Sequence, residues 1–146
     1  MTQLPLLDRA VIDDLSKHIG AEFTLSVLSL FIGESRGYLA TIAQAGAQPS
    51  DPDRRQLASR AAHSLKSSAG QVGAAALSAA AAAVELAATD GVPDLAQAAA
   101  SLQQCAEETL QAVNEFLANS GGRMGGNRSI ARSSSIEHFK MRFSRS

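Results

Sequence analysis

The chain has 146 residues, 45% hydrophobic, 18% charged and 4% aromatic, with a formal net charge of −1. The length suits one folded unit of roughly 100–200 residues, no apolar run nears the ~20 residues of a membrane span, and the N-terminus MTQLPLLDRAVIDD lacks the pattern of a secretory signal. One cysteine, Cys105, has no partner for an internal disulfide, so we expect a soluble, cytoplasmic, monomeric protein without a membrane association.

Taken in chain order, the informative segments carry a helical period, and none carries a sustained period of two. Leu7, Val11, Ile12 and Leu15 mark a short first helix that breaks near Gly20. Phe23, Val27, Leu30, Phe31, Leu39 and Ile42 extend the pattern through a long second helix, locally weakened by Gly33 and Gly37. The loop QPSDPDRR follows. In it Asp51-Pro52 is a helix start: a carboxylate accepts from free N–H groups, and a ring fixes φ at the first helical position. The third helix is expected over 52–72, with Leu57, Ala61, Leu65, Ala69 and Val72 inward and Gly70 and Gly73 bracketing its end.

A fourth helix over 74–89 places Leu77, Ala81, Val84 and Ala88 on one stripe, and Asp90-Gly91-Val92-Pro93 reads as a turn. A fifth, over 94–119, turns Leu102, Ala106, Thr109, Leu110, Val113 and Leu117 inward, with Cys105 beside that stripe as a small packing residue. Short links make successive helices antiparallel neighbours. The expected fold is therefore all-α: an antiparallel up-down four-helix bundle with a short leading helix. Residues 1–120 form this body, with seven basic groups against thirteen acidic ones, a balance of −6. Residues 121–146 carry six basic groups against Glu137 alone, a balance of +5, and the run GGRMGGNRSIARSSS reads as a flexible basic tail. An acidic body is a poor partner for nucleic acid, whose phosphates need clustered Lys and Arg.

The third helix has a second face. At about 100° per residue, Gln56, Ser59, Arg60, His63, Lys66, Ser67 and Gly70 fall opposite the apolar stripe. His63 is thereby placed mid-helix, toward water, among small and polar neighbours. A neutral imidazole presented this way offers an unprotonated ring nitrogen as a nucleophile. Lys66, three residues on, suits phosphate oxygens on a group attached to that nitrogen, and the short Ser67 side chain can donate to the same oxygens. A solvated helix face presents the same pair, so these two residues alone leave both readings open. His18, His63 and His138 lack ligand spacing, and no G-x-x-x-x-G-K-[ST] loop is present, so neither a metal site nor a nucleotide site is expected.

The longer string AHSLKSSAGQVGAAALSAAAAAVELA, Ala62 to Ala87, resembles the histidine-containing phosphotransfer (HPt) family of two-component phosphorelays. Ala62, His63, Leu65, Lys66, Gly73 and Ala74 match its pattern position by position, and Gly70 matches many members. LDRAVIDDL and FTLSVLSLFIGESRGYLATI resemble its first two helices, so the resemblance runs over about residues 7–119. One departure is Ser67, where the family usually has Gly.

The resemblance implies that His63 accepts a phosphoryl group from the aspartate of one receiver domain and passes it to another. Those receivers belong to response regulators or hybrid histidine kinases. It further implies that Lys66 stabilises the phosphoryl group. Glu85, 22 residues after His63, returns along the antiparallel hairpin to orient the imidazole through Nδ1–H. The chain would then be a carrier and not a kinase, with no cofactor of its own, the Mg²⁺ being supplied by the receiver. Ile12 and Ile19 are candidates for the docking surface, although each fits the core better, and a non-catalytic adaptor that binds a receiver or kinase is the alternative reading.

Overall fold

The computed structural model describes residues 4–90 and 94–124. Five helices follow in order: α1 (Arg9–Ile19), α2 (Ala21–Ala47), α3 (Pro52–Gln71), α4 (Ala75–Asp90) and α5 (Leu95–Met124), and no strand occurs among the described residues. The Asp8 carboxylate opens α1 by accepting from the Ala10 N–H, and Gly20 closes it at φ 90°. That positive φ is open to glycine at little cost and lets α2 begin at once in a new direction. Asp51 starts α3 as expected, accepting from the N–H groups of Asp53 and Arg54 with Pro52 at the first position. The helix α5 continues to Met124, past its expected end at Asn119. The expected turn at 91–93 and the tail over 125–146 lie outside the described residues.

In the packing, α2 lies against α3 and α5, and α4 lies against the same two helices, so these four close a ring; α1 packs on α2. The middle is filled by Leu28, Ile42, Leu65, Leu77, Val84, Leu102 and Val113, all essentially without exposure. Alanines at 58, 62, 69, 81 and 106 are equally buried and keep the helices close. A Cβ at Gly46 would stand 3.0 Å from the Ala99 Cβ, so α2 and α5 approach there to a distance that a larger residue would disturb. Among the described residues, no helix is long and apolar enough to cross a membrane.

One inward assignment changes. Leu57, expected in the core of α3, is 52% exposed, and Ala58 takes the buried position instead. The α3 core face is centred on Ala58, Ala62, Leu65 and Ala69, which leaves Leu57 on its flank. Of the two docking candidates that fit the core better, Ile12 is buried at 3% exposure and so belongs to the core, and Ile19 is half-buried. The α1 helix spends its apolar side on α2, where Thr24, Leu25 and Ser26 are buried.

The hairpin of α3 and α4 is held at both ends. Its bend at Gly73 has φ 84°, and a Cβ there would meet the Asp8 carbonyl oxygen at 2.8 Å and Val11 Cβ at 3.0 Å. Glycine is therefore required on two counts, conformation and space. Its bare backbone lets the chain before α1 lie across the bend: Asp8 N–H donates to Gly73 C=O at 2.7 Å, and Ala76 N–H donates to Pro5 C=O at 3.0 Å. At the other end, the Arg55 guanidinium donates to Pro49 C=O at 2.7 Å and to Ala87 C=O at 2.8 Å, joining the start of α3 to the last turn of α4.

Candidate functional site

The pairing of α3 with α4 sets the site. Ser78 Oγ donates to Lys66 C=O at 2.9 Å, and seven residues further along the same side of α4 comes Glu85. Antiparallel travel then carries Glu85 back toward His63, one turn before Lys66 on α3. Glu85 Oε2 lies 3.0 Å from His63 Nδ1 and Glu85 Oε1 lies 2.9 Å from Lys66 Nζ, so one carboxylate spans both residues.

Exposure divides the three groups. The His63 side chain is 65% exposed, while Glu85 is 27% exposed and Lys66 38%. The imidazole stands toward water, and its partners sit lower, between the helices. The Lys66 ammonium hydrogen-bonded to Glu85 holds that carboxyl below its ordinary value; partial burial opposes this and the His63 hydrogen bond assists it. Glu85 is therefore ionised at neutral pH and can only accept. It follows that His63 Nδ1 carries the proton it shares with Glu85, so that in the neutral ring the lone pair is on Nε2.

Three of the four residues singled out from sequence, His63, Lys66 and Glu85, come together. Ser67 is exposed one turn beyond His63 and takes no part in the network among the described residues. The ammonium of Lys66 is not waiting in solvent as its spacing alone suggests: it is engaged by Glu85. Sequence reasoning missed Ser78, although its seven-residue spacing from Glu85 places both on one side of α4 and the lone serine interrupts a run of alanines. Elsewhere, Cys105 is partly buried, and burial pushes its thiol up, consistent with a packing role.

The Hpt domain profile matches residues 26–123, a span that contains His63, Lys66 and Glu85 but begins after α1. No curated protein matches the chain. The fold is similar to that of histidine-containing phosphotransfer protein B (HptB) from Pseudomonas aeruginosa PAO1, with a TM-score of 0.68 and 19% identity over 80% of this chain and 98% of that one. With most of its length inside the profile, the chain belongs to the Hpt domain family, the histidine phosphotransfer carriers of two-component phosphorelays.

Proposed function

We propose that His63 is the phosphoryl acceptor, taking its load from the phospho-aspartate of one receiver domain and passing it to the aspartate of another. The observation that carries this reading is the 3.0 Å contact from the Glu85 carboxylate to Nδ1 of an imidazole that is otherwise open to water. In the forward step the Nε2 lone pair forms the N–P bond while the P–O bond to the aspartyl carboxylate breaks, and that carboxylate leaves with the bonding pair. No proton is lost. The ring becomes positively charged with Nδ1–H retained, and Glu85 lies where it offsets that charge. In the return step the same cationic ring is the leaving group, and the Nδ1–H···Glu85 bond restores the neutral tautomer.

Lys66 has three donors, of which Glu85 uses one, and the remaining two are available to phosphoryl oxygens. Positioning and charge compensation account for the transfer, as in other phosphoryl transfers. A divalent cation belongs to the receiver's carboxylates in this scheme, not to this chain. The test is incubation with a phosphorylated receiver: the wild-type protein acquires a label stable to base and labile to acid, and His63→Gln acquires none. Equal labelling of the two proteins, or no labelling of wild type by any receiver from the same source, defeats the reading.

A further inference from the structure

The surface beside His63 toward the start of α3 differs in charge from the body around it. Among the cations of α3, Arg54 is engaged by the Gln44 amide oxygen at 3.1 Å and by Asp51 at 3.7 Å, Arg55 by two carbonyls, and Lys66 by Glu85. Arg60 is exposed and has no hydrogen-bond or ion-pair partner among the described residues. It stands three residues before His63 on the same outward face. With Arg55, Gln56, Ser59 and Thr89 it lines an open groove of about 500 Å³ between the first turns of α3 and the last turn of α4.

Among the described residues, no carboxylate lines that groove. Of the two acidic residues at the start of α3, the capping Asp51 is turned onto its own helix and the Arg54 guanidinium, and Asp53 in the first turn is exposed outside the lining. The groove is thus a cationic spot next to the phosphoryl acceptor on a body whose balance is −6. An acidic partner meets an unpaired cation beside His63 on a body of net negative charge, which favours its approach from this side.

We infer that this groove, with Arg60 as its ion-pairing anchor, is where the acidic phosphoryl-bearing face of the receiver seats. The inference rests on the carrier reading above. The occupant must present an aspartyl phosphate and the carboxylates that hold a divalent cation, and those groups arrive within one helical turn of Arg60 when the phosphorus reaches His63 Nε2. Gln56 and Ser59 add neutral donors along the groove beside Arg60, while the Thr89 hydroxyl donates to the Glu85 and Leu86 carbonyls of its own helix. Arg60 acts through docking and orientation and touches neither reacting nitrogen nor phosphorus.

The test uses the full chain and a receiver loaded with Mg²⁺ and beryllofluoride, a stable stand-in for the phosphorylated aspartate, with binding followed by calorimetry. At about 50 mM NaCl, Arg60→Glu weakens binding about tenfold, Arg60→Lys stays within about twofold of wild type, and the gap closes to about twofold at 300 mM as charges are screened. Arg36→Glu, on the far side of the ring between α2 and α5, changes binding less than about twofold and controls for net charge. Binding of Arg60→Glu equal to wild type at low salt overturns the inference, as does a loss that persists undiminished at high salt or one that Arg36→Glu reproduces. If wild type binds no receiver at all, the carrier reading falls and this inference with it. If wild type binds and labels while Arg60→Glu behaves identically, the groove assignment alone falls.

Discussion

Removing the Glu85 carboxylate is the most informative perturbation of the site. A hydrogen bond to a charged group is worth about 1.5–3 kcal/mol when shielded. The His63 ring is 65% exposed, so solvent screens its share, and we assign the bond from Nδ1–H about 1 kcal/mol. Loss of that preference in Glu85→Ala lowers the population of rings with Nε2 free and withdraws the charge that offsets the cationic ring. A cost of about 1 kcal/mol slows transfer about fivefold. Glu85→Gln is expected between the two, because an amide oxygen still accepts from Nδ1–H but carries no charge for Lys66. The assay is single-turnover transfer from a phosphorylated receiver, with ¹⁵N spectra of the ring nitrogens reporting the tautomer and a urea midpoint reporting the fold. Wild-type rates in Glu85→Ala with an unchanged tautomer would refute the orienting role.

The same carboxylate gives a pH signature. Its pKa is lowered in the folded chain chiefly by the Lys66 hydrogen bond, so its contribution to stability is present in full above the ordinary carboxylate range. That contribution is lost as pH falls through the lowered value. Lys66→Met removes the largest cause, so the Glu85 titration followed by ¹³C spectra moves upward, and an unmoved titration contradicts the assignment.

Three further substitutions test the scaffold. Gly73→Ala forces a side chain into φ 84° and against the Asp8 carbonyl, so urea denaturation should register a loss of at least about 1–3 kcal/mol, with faster amide exchange at Asp8 and Ala76; a loss under about 0.5 kcal/mol is incompatible with the described bend. Leu65→Ala, at a fully buried position two residues from His63, should cost about 2–5 kcal/mol, whereas Leu57→Ala at 52% exposure should stay within about 0.5 kcal/mol, and equal losses would reverse the burial of α3 described above.

Much of the site was legible because α3 is strongly two-sided. Ala61, Leu65, Ala69 and Val72 recur at helical spacing, which leaves His63 and Lys66 facing outward whatever the rest of the chain does. Glu85 was legible only through the family resemblance, since no spacing within α4 says which helix it meets. Leu57 was misassigned because a stripe read at about 100° per residue locates a face only to within a neighbouring position, and Leu57 and Ala58 compete for the same edge. The small alanine won the close contact and the larger leucine was left outside.

From the order of residues alone came the all-helical class, the Asp51-Pro52 start of α3 and the outward placement of His63, because capping, proline geometry and amphipathic period act within a few residues of one another. Tertiary structure decided what happens between helices: that one carboxylate divides itself between His63 and Lys66, that Arg55 is spent on backbone carbonyls while Arg60 is left over, and that Ile12 is buried where α1 packs on α2. Those outcomes depend on which side chains reach across a gap of a few ångströms between separately formed helices. That distance is set by the packing of all of them together.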